Sequence, residues 1–216
     1  MNFLAHCLIP ELAQPGIPDG VVVGGFLGDF LKGSVPATLP AALADGVRLH
    51  RRLDAFSNQH ETIRLSCARL PTPLRRIAPV FVDLVADHLL ARNWAAIYHQ
   101  PLTGYTAQTY TRLERLGSYL PESARQFLEH AIRHDLFAAY ADMETLNAAI
   151  RSVARRLGRP EAAELVQTAV ADALPQLDAD FRDYFPELVA HADAWLVDRG
   201  YGPVPKADSL SPTHSG

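Results

Sequence analysis

The chain has 216 residues, 48% of them hydrophobic and 20% charged, with a formal net charge of −4. That length supports one domain whose core needs no disulfide or metal staple, and the negative balance argues against a nucleic-acid partner for the chain as a whole. Cys7 and Cys67 make no disulfide framework, no signal peptide opens the sequence, and the apolar run between Asp19 and Asp29 is too short for a bilayer, so a cytoplasmic protein without a membrane partner is expected.

Residues 1–46 are rich in Pro and Gly and predict short helices over 2–14 and 20–32, with loops around Pro36 and Pro40. Residues 41–68 place Leu43, Val47, His50, Asp54 and Phe56 in a broadly helical pattern that Pro71 and Pro73 break. The clearest signal covers 74–98, where Ile77, Phe81, Leu84, Val85, His88 and Leu89 recur at three and four residues, with Pro101 as the stop. Further helices are predicted over 105–118, 122–139 and 141–157, the last ending at Gly158. Residues 160–197 read as one long helix that Pro175 and Pro186 should kink or divide. The tail from 201 to 216 has no periodicity and is expected to be disordered. No strand alternation appears, so the expected fold is an all-α, single-domain helical bundle over residues 1–200.

Acids and histidines stand out at four places: His6; Asp29 after a Gly-rich apolar stretch; His50 with Asp54; and Asp83 with Asp87 and His88. Residues four apart share a helical face, so His50 and Asp54 converge, as do Asp83 and Asp87. The latter two border the most apolar helix of the chain, where unpaired carboxylates are costly. A divalent cation would neutralise them, and oxygen-plus-imidazole ligation suits Mn²⁺, Mg²⁺ or Fe²⁺. Adjacent residues point about 100° apart on a helix. Only one of Asp87 and His88 is therefore expected to bind metal directly, the other orienting a ligand or moving a proton. Arg51 and Arg52 beside such a site offer guanidinium forks for phosphate oxygens. From Arg48 to Arg76 there are seven arginines against two acids, a basic strip suited to an anionic partner. His134-Asp135 is the one His-Asp pair in that order; its polar neighbourhood predicts an exposed position.

Met1 to His6 (Met-Asn-Phe-Leu-Ala-His), Gly28-Asp29-Phe30 with Gly33, and His50-Arg51-Arg52-Leu53-Asp54 together resemble the acyl carrier protein phosphodiesterase family. Asp83 with Asp87-His88, Trp94, and Tyr140 to Met143 add to the resemblance, which runs to about residue 195. The family is described as a divergent branch of the HD-type helical phosphohydrolases. The resemblance implies Mn²⁺-type metal dependence and holo acyl carrier protein as the substrate. The bond broken would join the carrier's serine to 4′-phosphopantetheine, within fatty acid and lipid metabolism. The chain departs from the wider HD class in lacking its His…His-Asp…Asp order.

On this basis Asp29, His50, Asp83 and Asp87 are expected to hold one or two metals, with Asp54 orienting a ligand. Arg51 or Arg52 would stabilise phosphoryl charge, and His88 or His6 would protonate the leaving oxygen. Arg48, Arg64, Arg75 and Arg76 are expected to dock the acidic carrier. The competing expectations are an HD-type phosphohydrolase acting on a small-molecule nucleotide and a non-enzymatic helical adaptor.

Overall fold

A computed structural model describes residues 1–202; the expectation for the tail falls almost wholly outside them. Among the described residues there are eleven α-helices and no strand, forming one all-α domain. In chain order these are α1 (Phe3–Ala13), α2 (Asp19–Leu27), α3 (Ala41–Gln59), α4 (Glu61–Ala68), α5 (Ala78–Arg92) and α6 (Trp94–Ile97). They are followed by α7 (Leu102–Arg115), α8 (Glu122–His134), α9 (Leu136–Ala139), α10 (Met143–Arg156) and α11 (Ala162–Asp198). Single 3₁₀ turns follow α2 at Gly28–Phe30 and precede α5 at Thr72–Leu74.

The boundaries depart from the expected ones where a local cap intervenes. The pattern over 41–68 splits at His60, whose Nδ1 accepts from the Thr62 N–H at 3.3 Å and starts α4 afresh. The pattern over 74–98 begins as a 3₁₀ turn, and the α-helix starts only at Ala78, with Pro79 in its first turn, where a missing N–H costs nothing. The helix expected over 122–139 breaks at Asp135, which adopts φ 40°, ψ 53°. His134 is exposed, as expected of this His-Asp pair, whereas Asp135 is half-buried.

Helix α11 is the largest surprise, because it runs unbroken for 37 residues, about 55 Å at 1.5 Å per residue, through both Pro175 and Pro186. Each interior proline removes a backbone hydrogen bond, a cost of about 3 kcal/mol. Packing offsets it: Leu177, Phe181, Tyr184, Phe185 and Leu188 are all buried. Polar ties add register. Arg69 makes a two-pronged bond to Asp180 at 2.7 and 2.8 Å, and the Tyr184 hydroxyl meets Ser57 on α3 at 2.5 Å.

At the centre, α2 is apolar all round and buried from Val21 to Leu27. It lies nearly backbone-to-backbone on α3. A Cβ at Gly46 would stand 2.2 Å from the Val21 carbonyl oxygen, so only glycine permits this approach. The crossing carries the C-terminal end of α2 to the middle of α3. Gly46→Ala is expected to force the two helices apart and cost about 2 kcal/mol. For a chain of this size that lowers Tm by roughly 4–8 °C, readable by thermal denaturation followed by circular dichroism.

Candidate metal centre

His6 comes from the second turn of α1, and His50 and Asp54 come from one face of α3. Their rings and carboxylate meet. His6 Nε2 lies 3.2 Å from one Asp54 oxygen, and His50 Nε2 lies 3.3 Å from the other. The imidazoles stack with centroids 3.8 Å apart. One donor atom from each of the three residues falls within 4.8 Å of the others. Asp29, in the 3₁₀ turn after α2, stands 3.9 Å from the same nitrogen of His50 and is half exposed, as is Asp54.

Backbone geometry sets the rings. His50 Nδ1–H donates to the Gly25 carbonyl at 2.8 Å, leaving Nε2 as the lone-pair nitrogen facing the cluster. Gly28 makes room for that ring, since a Cβ there would sit 2.3 Å from His50 Cγ. His6 is 1% exposed, yet neither of its ring nitrogens has a hydrogen-bond partner. Its contact with Asp54 lacks hydrogen-bond alignment. A buried imidazole without a partner is costly, and a cation at this point would supply one. Two imidazoles and a carboxylate, with a second carboxylate beside them, suit a divalent transition ion.

Charge within the cluster is uneven. Burial, followed by the neighbouring His50 charge, pushes His6 down to about 3, so it is neutral near pH 7. Burial also opposes the charged form of His50, but the Asp54 hydrogen bond and charge, with help from Asp29 and the Gly25 carbonyl, raise it overall. Asp54 is desolvated as well, yet the two imidazoles beside it, His50 first, hold it well below the usual carboxylate range. Burial raises Asp29.

Residues 1–188 match the family described as acyl carrier protein phosphodiesterase. The chain belongs to this family. A relative from Photorhabdus laumondii, named acyl carrier protein phosphodiesterase, is 26% identical over 194 residues, covering 89% of this chain and 96% of its own. One of the same name from an Escherichia coli O6:H1 strain is 28% identical over 198 residues, covering 90% and 89% respectively. The acyl carrier protein phosphodiesterases are named as hydrolases, and this member is an enzyme of that class. No solved structure matches the chain.

Not every residue singled out in this acyl carrier protein phosphodiesterase sequence gathers at the cluster. Asp87, fully buried, accepts from the backbone N–H groups of Asn2, Leu4 and Ala5 at 3.2, 2.8 and 3.3 Å. Burial lifts its carboxyl to about 7 against those amides. Asp83 binds the Met1 ammonium at 2.5 Å, and burial raises its carboxyl against that charge. Neither acid is among the three clustered donors. His88 points elsewhere, its Nδ1–H donating to the Tyr140 carbonyl at 2.8 Å. Arg51 donates to the Gly33 and Leu31 carbonyls at 2.7 and 2.8 Å and so braces the loop after Asp29. Arg52 is exposed and lies near His191. Arg48 pairs with Asp45, whereas Arg64, Arg75 and Arg76 are exposed and have no ion pair among the described residues.

The structure adds two donors to those expected from the sequence: His6, expected as a proton donor, and Asp54, expected only to orient a ligand, both join His50 in the cluster. Forty-four positions separate His6 from His50, and no spacing rule links them.

The metal-free protein is expected to be most stable near neutrality. Below about pH 6.5 the unfolded chain protonates His6 while the fold keeps it neutral down to about 3, so stability falls with falling pH. His50 has the opposite sign: its raised value gives stability that is lost as pH climbs through it. Urea unfolding of chelator-treated protein at pH 5, 6.5 and 8 checks this, and His6→Gln should flatten the acid limb.

Proposed function

We propose that the chain is a divalent-metal-dependent phosphodiesterase that removes 4′-phosphopantetheine from holo acyl carrier protein, leaving the apo form. The observation that carries this reading is the convergence of His6, His50 and Asp54, brought together from two helices at a point open to solvent through Asp54 and Asp29. Membership of a family whose relatives are named for this activity supplies the substrate class.

His6 Nε2, His50 Nε2 and Asp54 would hold the ion, with Asp29 closing the set from the solvent side. Mn²⁺ is the ion we favour, because mixed imidazole and carboxylate donors suit it. When bound, it supplies Lewis acidity toward a phosphoryl oxygen and an acidified water. The protein's own groups do the rest. The Gly25 carbonyl fixes the His50 tautomer with Nε2 toward the cluster, and any proton on that nitrogen must leave before an ion is held. Asp87 holds α1, and so His6, in place. The tie from Arg51 to the Leu31 and Gly33 carbonyls steadies the turn that presents Asp29.

The scissile bond is at the carrier's own surface, so an acidic carrier must approach the mouth of the cluster closely. Arg64, Arg75 and Arg76 remain candidates for its docking. Arg48, tied to Asp45, is the weakest of the four originally considered.

Mass spectrometry of purified holo acyl carrier protein after incubation with this protein and Mn²⁺ tests the reaction. Loss of the phosphopantetheine arm, blocked by EDTA and abolished by His6→Ala or Asp54→Ala, is the expected result. An unchanged carrier would send the assignment to a small-molecule phosphodiester. Charge reversal at Arg64, Arg75 and Arg76 together is expected to raise KM roughly tenfold or more with kcat nearly unchanged. Equal loss in both constants would remove these arginines from the docking surface.

A further inference from the structure

Five phenyl rings from α1, α2, the 3₁₀ turn after α2, α8 and α9 gather into one cluster. Phe26 and Phe137 are fully buried and form the floor. Phe3, Phe30 and Phe127 are only half-buried and lie above it in mutual contact. Their ring centroids are 4.3 Å apart for Phe3 and Phe127, 5.8 Å for Phe3 and Phe30, and 5.9 Å for Phe30 and Phe127. Chain connectivity ties this patch to the donors. Phe30 directly follows Asp29, and Phe3 precedes His6 by one turn on the same side of α1.

We propose that the half-exposed surface of Phe3, Phe30 and Phe127 is the subsite for the pantoyl end of the phosphopantetheine arm. The inference rests on the reaction proposed above and adds to it which side of the scissile phosphate faces which part of the protein. The chemistry of the arm supports this occupant. Its phosphate oxygen is joined through one methylene to a quaternary carbon bearing two methyl groups, so an apolar knob lies directly beside the phosphorus. With the phosphate held at His6, His50, Asp54 and Asp29, the dimethyl carbon lies three bonds from the phosphorus, and two rings of the patch are borne by segments that also carry donors, Phe30 with Asp29 and Phe3 with His6. On the other side of the phosphorus stands the carrier's serine, set in an acidic protein surface. Phenyl rings do not complement such a surface, and arginines do. The aromatic patch and the exposed arginines thus divide the substrate between them, arm to one side and carrier to the other.

The test measures binding of each half separately, on the Mn²⁺-loaded full chain, by calorimetry with free 4′-phosphopantetheine and with apo acyl carrier protein. Phe127→Ala and Phe30→Ala are expected to weaken phosphopantetheine binding roughly tenfold each, the loss of one buried ring face, while apo-carrier affinity is unchanged. Phe127→Leu, which keeps an apolar side chain and guards against a folding artefact, should retain most of the affinity. Unchanged phosphopantetheine binding in the alanine variants overturns the proposal. So does a selective loss of apo-carrier affinity, which would place the carrier on the patch instead. Failure of the underlying reaction is distinguishable, because the wild-type protein would then leave holo carrier intact and bind neither half.

Discussion

Asp87 sits in the middle of α5 with no exposed surface, and its two oxygens take up the N–H groups of Asn2, Leu4 and Ala5. These are the amides at the start of α1, which have no partner within the helix. Asn2, at the capping position, makes no side-chain cap of its own. A carboxylate from another helix therefore does the work that a neighbouring Ser or Asp usually does, and the positive end of the α1 dipole favours its charge. Three charge-assisted hydrogen bonds counter the desolvation that would otherwise exclude an acid from this position. The consequence reaches the site directly. His6 is one turn further along α1, so its placement against α3 follows from where Asp87 pins the helix.

A second constraint is the closeness of α2 and α3. Glycines at the crossing let the two backbones approach until the Gly25 carbonyl reaches His50 and the 3₁₀ turn brings Asp29 alongside it. Donors that are dispersed in the chain share one point because the Asp87 cap ties α1 to α5, the glycine crossing ties α2 to α3, and Gly25 seats α2 on α1, where a Cβ would stand 2.3 Å from the His6 carbonyl oxygen.

The cluster's electrostatics follow from burial beneath an open mouth. His6 and His50 are out of water, whereas Asp29 and Asp54 keep part of their surface in it. One imidazole stays neutral near pH 7 while Asp54 pulls the other upward, so the metal-free cluster sets the His50–Asp54 contact next to an unpartnered ring. That arrangement is poor as a structural element and well suited to exchanging a proton for a cation. Distant acids such as Asp45 and Asp180 show the contrasting, structural pattern, each saturated by arginine and hydroxyl donors.

The all-α class and most helix positions were legible in the sequence, because heptad-like spacing and proline stops act locally. So was the pairing of His50 with Asp54, since a separation of four on one helix implies a shared face. The two prolines of α11 do not divide it: their local cost is real, but burial along the helix outweighs it. Sequence also marked Asp87 as an acid beside an apolar stripe that needed a partner, without showing whether that partner was an ion or a helix end. Only the tertiary structure decided that it is the amides of α1, because both solutions neutralise the same charge. It alone brought His6 to His50, and it alone separated the seven arginines into those held by Asp45, Asp180 and loop carbonyls and those left to solvent. Local spacing determines which side chains share a helical face, whereas the choice of partner across helices depends on packing that no spacing encodes.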